Sequence, residues 1–203
     1  MGLKVLHAPD LHYNRQACMW LADNQQIADI VCLTGDFLDT RYNAPVALSE
    51  QVEFFLTWFT LFSVPLLVCS GNHDVVFAQG RWLNTDNLNG VYGDGSNVIV
   101  EGIRFGCVPY ENNPDAFADC QVLLHHEPPF GSKTAQQNGV DYGSRALQHA
   151  LKSRSLSARY ILCGHVHSPA KRAVRKGACT IVNAGGIHSN DQPSYAVVEL
   201  DLA

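Results

Sequence analysis

The stretch "VPLLVCSGNHD" (residues 64–74) decides how the fold is organised. Its first six residues are apolar, and its last four are glycine, asparagine, histidine and aspartate. A continuous apolar run is typical of a strand buried on both faces, as in a parallel sheet. Binding sites of open α/β sheets form just beyond the carboxyl ends of such strands. The stretch therefore predicts a buried strand that ends in candidate functional residues, namely Asn72, His73 and Asp74.

The same arrangement recurs at four other strand-like runs. Any one of these motifs alone is more easily explained as a surface or packed residue. Five of them, each closing a separate strand, favour a shared site. The polar residues after the other four runs are Asp10 and His12, Asp36 and Asp39, His125 and His126, and His165 and His167.

The spacing and the residue types at these strand ends indicate metal binding. Residues i and i+2 of an extended chain point to the same side, so Asp10 and His12 can converge, as can His165 and His167. The donors are carboxylate, amide oxygen and imidazole, and no cysteine occupies these positions. This mixture suits Mn, Fe, Zn or Ni at octahedral-like sites better than a tetrahedral structural zinc.

The pattern of elements predicts an α/β fold. Leu48, Val52, Phe55, Phe59 and Phe62 recur at helical spacing, and a shorter stripe begins at Leu147. Alternation of strands and helices in the first half favours right-handed crossovers and a mainly parallel sheet. Residues 159–203 read as strands and predict a second sheet that leans antiparallel. We expect a single domain over residues 1–203, with long loops at 77–97 and 127–143.

Composition limits the classes of partner. The net charge of −5 provides no long-range field for nucleic acid. No apolar stretch approaches the roughly 20 residues that cross a bilayer, and the N-terminus lacks a signal-peptide pattern. The seven cysteines show no C-x-x-C pair and lie mostly in apolar runs. We therefore expect a cytoplasmic protein without membrane or nucleic-acid partners, and the sequence leaves the oligomeric state open.

The ordered motifs resemble the calcineurin-like metallophosphoesterase superfamily. They read D-x-H (10–12), G-D-x-x-D (35–39), G-N-H-D (71–74), a histidine after a strand (125) and G-H-x-H (164–167). The resemblance implies a four-layer α/β/β/α sandwich of two mixed sheets. The segment from "LLHHEPPFGSKT" to "GHVH" is also similar to the small, single-domain phosphodiesterase branch that includes class III cyclic-nucleotide enzymes.

The resemblance implies two divalent or trivalent transition-metal ions, Mn, Fe, Zn or Ni, with Mn expected to support activity best. A hydroxide that bridges the ions would attack phosphorus, and His73 would protonate the leaving group. Asp39 would orient His73, while Asp74 braces the turn and His126 faces the opposite side of its strand. The implied ligands are Asp10, His12 and His167 for one ion, Asn72, His125 and His165 for the other, and Asp36 between them.

Several further residues admit two interpretations. His126, Asn183 and His188 could contact substrate, and Arg81 and Trp82 could cover the site, although each is as easily structural. The basic cluster at Lys171, Arg172, Arg175 and Lys176 reads as a solvated hairpin turn or as a patch that steers an anionic substrate.

We therefore predict a hydrolase, a phosphodiesterase acting on a small phosphate ester such as a cyclic nucleotide. The alternatives are a phosphomonoesterase, including a protein phosphatase, and a catalytically silent scaffold of the same fold.

Overall fold

The computed structural model describes residues 2–186 and 192–201. Within these residues the chain forms three α-helices and thirteen β-strands. The helices are α1 (Arg15–Asn24), α2 (Leu48–Phe59) and α3 (Arg145–Ser153). The strands are β1 (Leu3–Ala8), β2 (Ile30–Thr34), β3 (Leu66–Cys69), β4 (Val91–Tyr92), β5 (Asn97–Val100), β6 (Ile103–Cys107), β7 (Val122–Leu124), β8 (Gln136–Gln137), β9 (Val140–Asp141), β10 (Tyr160–Cys163), β11 (Ala173–Lys176), β12 (Cys179–Asn183) and β13 (Ala196–Leu200).

The strands form two mixed sheets and a two-stranded hairpin, β8–β9. The first sheet has the order β13-β1-β2-β3-β4, in which only β13 is antiparallel to its neighbour. The second has the order β11-β12-β10-β7-β6-β5, with four parallel strands flanked by antiparallel β11 and β5. The expectation that the second sheet leans antiparallel is wrong, because β10 and β12 are parallel partners and β13 joins the first sheet.

The first sheet is covered on both faces because its side chains alternate. Along β2, Val31 and Leu33 pack with the buried residues of α1 and α2. Ile30 and Cys32 point the other way, into the apolar layer between the two sheets. The central strands β2 and β3 are therefore buried at every position, which explains the continuous apolar runs in the sequence.

The second sheet follows the same rule. Along β7, Val122 and Leu124 face the layer between the sheets, whereas Leu123 packs with Leu147 of α3 on the outer face. The order of layers is helices, sheet, sheet and helix. The predicted four-layer α/β/β/α sandwich of two mixed sheets is confirmed.

Helix α2 carries the apolar stripe that its spacing predicts. Val52, Phe55 and Phe59 are buried, and the indole N–H of Trp58 donates to the carbonyl of Cys18 in α1 at 3.0 Å. The helix ends before Phe62, which still packs against Trp58 with ring centroids 5.0 Å apart.

Two further expectations concern the whole chain. The seven cysteines are free thiols and all are buried, which agrees with their positions in apolar runs of the sequence. Among the described residues no helix is long and apolar enough to cross a bilayer.

Candidate metal centre

Five strands from the two sheets end at one place. Strands β1, β2 and β3 belong to the first sheet, and β7 and β10 belong to the second. Each is followed within four residues by polar side chains. These are Asp10 and His12 after β1, Asp36 after β2, Asn72 and His73 after β3, His125 and His126 after β7, and His165 and His167 after β10.

One group of donors is formed by Asp10, His12 and His167, each of which offers an atom within 4.8 Å of the others. The Nε2 atoms of His12 and His167 lie 3.2 Å apart, and His167 Nε2 lies 3.9 Å from Asp10 Oδ1. The backbone N–H of His165 donates to Asp10 Oδ1 at 3.0 Å, which ties the G-H-x-H loop to the end of β1.

A second group consists of Asp36, His126 and His165, again within 4.8 Å of one another. The Asn72 side-chain oxygen joins them, 3.1 Å from His126 Nε2 and 3.0 Å from His165 Nδ1. This group combines one carboxylate, one amide oxygen and two imidazoles.

Asp36 connects the two groups, and with His12 and His73 it forms a third, overlapping set of donors within 4.8 Å of one another. Its Oδ2 is 3.9 Å from His12 Nε2, 3.4 Å from His126 Nε2 and 3.8 Å from His73 Nε2. The carboxylate therefore lies within 3.9 Å of imidazoles from both groups.

His126, and not His125, turns into the site. The Nδ1 of His125 lies 2.8 Å from the carbonyl oxygen of Glu127, and among the described residues His125 joins neither donor group. The Nδ1 of His126 lies 2.7 Å from the carbonyl of Thr34, which leaves its Nε2 facing the donors. A histidine ligand commonly donates its other ring N–H to a backbone carbonyl in this way.

The alternation of β7 explains where the two histidines lie. Val122 and Leu124 face the layer between the sheets, and His126 continues on that side with the same period of two. Leu123 faces α3, and His125 follows it. The sequence predicts the alternation of the two histidines but not which of them faces the other sheet.

The partner of His73 also differs from the prediction. The Asp39 carboxylate is held by the side chain of Arg41, with Nε at 2.8 Å and Nη2 at 2.6 Å, and its backbone N–H donates to Gln51. Arg41 lowers the pKa of Asp39 by this hydrogen bonding. The hydrogen-bond partner of His73 Nδ1 is the hydroxyl of Thr40. Asp39 is drawn away because the guanidinium two residues along pairs with both of its oxygens.

Asp74 braces the turns, as expected. Its two oxygens accept backbone N–H bonds at 2.7–3.2 Å from Asp36, Phe37 and Leu38 after β2 and at 2.8 Å from Gly71 after β3. One buried carboxylate thus joins the ends of two neighbouring strands.

Burial and neighbouring charges shift the pKa values of several residues in the cluster. Burial raises the pKa of Asp10 to about 7 and lowers the pKa values of His12 and His165 to about 4. Burial opposes the charged form of His126, but the charges of Asp36 and Asp10 raise its pKa to about 10. His12 and His165 are therefore neutral imidazoles at neutral pH, whereas His126 is protonated without an ion and would release its proton on binding one. The combination of carboxylate, amide oxygen and imidazole donors fits the implied ions.

The backbone is strained at the same residues. Asp10, His12, Asp36 and His165 have φ values of 55°, 43°, 55° and 67°, in the left-handed region that residues with a Cβ avoid. Such conformations cluster where the surrounding structure must hold side chains in fixed positions for function.

Two of the remaining candidates, Asn183 and Trp82, make structural hydrogen bonds. The Asn183 amide donates to the carbonyls of Thr134, Gly164 and Val166, so it holds the G-H-x-H loop and faces no substrate. The Trp82 indole is buried and donates to the Asp74 carbonyl, whereas Arg81 is exposed. His188 lies outside the described residues.

Comparison with known proteins gives the same architecture. Residues 3–169 match the family model for calcineurin-like phosphoesterases. The phosphopantetheinyl hydrolase PptH of Mycobacterium tuberculosis is 11% identical with a TM-score of 0.67, covering 99% of this chain and 97% of its own. TT1561 of Thermus thermophilus is 15% identical with a TM-score of 0.62, covering 91% and 90%. GAP50, the anchor in the inner membrane complex of Plasmodium, is 9% identical with a TM-score of 0.55, covering 91% and 71%. No curated protein sequence matches the chain.

Proposed function

We propose that this chain, which belongs to the calcineurin-like phosphoesterase family, hydrolyses small phosphodiesters at a centre of two metal ions. Membership makes the chain a metal-dependent hydrolase of phosphate esters. The observation that supports two ions is the position of Asp36, whose carboxylate lies beside both groups of donors.

The two donor groups divide the ligands. Asp36 would be shared, because its Oδ2 lies 3.9 Å from His12 Nε2 in one group and 3.4 Å from His126 Nε2 in the other. The ions are divalent or trivalent transition metals, and the nitrogen and oxygen donors suit Mn, Fe, Zn or Ni. The first ion would be held by Asp10, His12 and His167, and the second by Asn72, His126 and His165.

When bound, a pair of such ions acidifies water and withdraws negative charge from phosphoryl oxygens. The proton for the leaving group would come from a residue of the chain itself. His73 Nε2 faces the cluster, 3.8 Å from Asp36 Oδ2, and its side chain is 31% exposed, so an incoming ester can reach it. The Thr40 hydroxyl meets Nδ1 on the other side of the ring. His73 can therefore donate a proton from Nε2 to the leaving oxygen while Thr40 fixes the plane of the ring.

Asp36 has a further role in placing His73. Its Oδ1 accepts the backbone N–H of His73 at 2.9 Å, so the shared carboxylate and the acid are fixed to each other. A proton donor held this close to the shared ligand favours esters whose leaving oxygen is a poor leaving group, such as the alkoxide of a nucleotide diester.

The test is hydrolysis of bis-p-nitrophenyl phosphate and p-nitrophenyl phosphate by protein loaded with Mn, with and without EDTA. We expect faster turnover of the diester, abolished by EDTA and restored by Mn. Asp36→Asn should be inactive, whereas His149→Ala, on α3 and outside the donor groups, should retain activity. Turnover that resists EDTA would contradict the metal centre. Faster turnover of the monoester than of the diester would identify the protein as a phosphomonoesterase instead of a phosphodiesterase.

A further inference from the structure

Positive charge is concentrated in one part of this acidic chain. Residues 128–186 contain nine of the 14 Lys and Arg residues but a single acidic residue, Asp141, although the whole chain carries a net charge of −5. The Asp141 carboxylate is occupied by the backbone N–H groups of Gly131 and Gly143, at 2.8 and 3.0 Å. The segment that includes α3 and β10–β12 is therefore strongly basic.

A cavity of about 580 Å³ opens within this basic segment, between the C-terminal end of α3 and the β11–β12 turn. This volume lies in the range of about 300–1,000 Å³ that is usual for small-molecule sites. Its apolar wall includes the buried Cys179 and the half-buried Leu151 and Leu156, which pack against the core between α3 and the second sheet.

Three cations line the same cavity, namely Lys152, Arg154 and Lys176. In the described part of the chain none of them forms an ion pair within 4.0 Å, and all three are exposed. Burial lowers the pKa of Lys176, and so does the neighbouring charge of Lys152, although the charge of Asp141 opposes this. The three positive charges around this cavity repel each other, and a bound anion would offset that repulsion.

We propose that this cavity, bounded by Leu151, Leu156 and Cys179 and by the cations Lys152, Arg154 and Lys176, binds a small amphipathic anion. The ligand class is a phosphate, sulfonate or carboxylate carried on an apolar or aromatic body. The charged group meets the three cations, and the body covers the exposed parts of the two leucines.

The cavity is separate from the candidate metal centre. Ala158, which lines it, precedes β10, whereas His165 follows that strand. The four residues of β10 span roughly 13 Å at about 3.3 Å per residue. The inference therefore does not depend on the proposed function, and its ligand need not be a substrate.

The probe is 8-anilinonaphthalene-1-sulfonate, an anion on an aromatic body, titrated into the full chain by calorimetry. We expect one bound probe per chain, and much weaker binding of N-phenyl-1-naphthylamine, which lacks the sulfonate. The double variant Lys152→Gln/Lys176→Gln should weaken binding about tenfold, since two charge-assisted contacts are lost.

Two controls make the result specific. Lys171→Gln/Arg172→Gln removes the same charge from the same segment but outside the cavity lining, and should change affinity by less than about twofold. Ala178→Phe should fill the cavity from an exposed position and abolish binding in a protein whose thermal unfolding is unchanged. Equal losses in the two charge pairs, equal binding of the uncharged analogue, or full binding by Ala178→Phe would each overturn the proposal.

Discussion

Asp36 is the residue on which both halves of the candidate site depend. Its side chain faces three imidazoles and accepts the backbone N–H of His73, and its own N–H donates to Asp74. Burial opposes ionisation, but the charge and hydrogen bond of His126 and the contacts with His73 lower its pKa below the usual range. The carboxylate is therefore held ionised and in place before any ion arrives.

The choice between the two adjacent histidines can be tested by metal content. His126→Ala should reduce the bound metal from about two ions per chain to about one, because its Nε2 faces Asn72 and Asp36. His125→Ala is the matched control and should retain both ions. Atomic emission analysis after dialysis against Mn gives the ratio. Loss of an ion from the His125 variant alone would restore the prediction made from the sequence.

The acid role of His73 and its support by Thr40 predict a dependence on the leaving group. His73→Ala should keep both ions but slow hydrolysis of an alkyl nucleotide diester by roughly 10²–10⁴-fold, and that of bis-p-nitrophenyl phosphate far less. Thr40→Val should reproduce the pattern more weakly, and Thr40→Ser, which keeps the hydroxyl, should restore the wild-type rate. Equal effects on both esters argue against proton donation.

Some of the site could be predicted residue by residue, and some could not. Asp10 and His12 enter one donor group, whereas His165 and His167 lie in two different groups. The backbone at Asp10, His12 and His165 is left-handed, so the extended geometry assumed from the sequence does not apply there. The hydrogen-bond partner of His73 depends on where the Arg41 side chain lies, and the sequence does not fix that position. An arginine two residues after Asp39 does indicate that the two side chains could pair with each other.

At the level of elements, the ends of β2 and β3 form one unit. A Cβ added at Gly35 would lie 2.5 Å from the backbone nitrogen of Gly71, so the two turns approach each other backbone to backbone. Gly35 also has φ +78°, which only glycine adopts without strain. The glycines before Asp36 and Asn72 therefore allow both ligands to reach the same place.

Asp74 should be the main clamp of this unit. Asp74→Asn replaces one acceptor oxygen with an N–H₂ group that faces backbone donors, and should lower the free energy of unfolding by about 3 kcal/mol. Urea denaturation of the metal-free protein measures this. Asp86→Asn, at an exposed position, should change stability by less than about 0.5 kcal/mol. An Asp74 variant as stable as the control would show that the turn is held by other contacts.

The sequence predicts the long apolar elements better than the short polar ones. Its apolar runs correspond to β1, β2, β3, β7, β10, β12 and β13. A further apolar run, "VIVEGIRFGCV" (residues 98–108), folds as a hairpin, β5–β6, because Glu101 and Gly102 both adopt positive φ in the turn. Strands β4, β8 and β9 have two residues each, and two of the four residues of β11 are charged, so none has an apolar pattern long enough to reveal it.

At the scale of the whole molecule, the candidate centre joins the two sheets. Its donors after β1, β2 and β3 come from the first sheet, and those after β7 and β10 come from the second. Ions held between them would connect the two halves of the sandwich. The expectation of a single domain over residues 1–203 stays a prediction.

Metal removal should therefore destabilise the entire fold. Ligands that bind only the native state stabilise it by about 2.7 kcal/mol at a hundredfold excess over Kd, which for a chain of this size corresponds to roughly 5–10 °C in Tm. We expect EDTA to lower Tm by that amount and Mn to restore it. Asp36→Asn should show no Mn-dependent gain. A Tm insensitive to both EDTA and Mn would mean that the ions, if bound, do not connect the sheets.

The most direct measurement is anomalous diffraction at the manganese edge from crystals grown with Mn. It locates ions without reference to activity. The account predicts two peaks with Asp36 bound to both, one beside Asp10, His12 and His167, and the other beside Asn72, His126 and His165. A single peak, or an ion bound by His125 with His126 turned away, would contradict it.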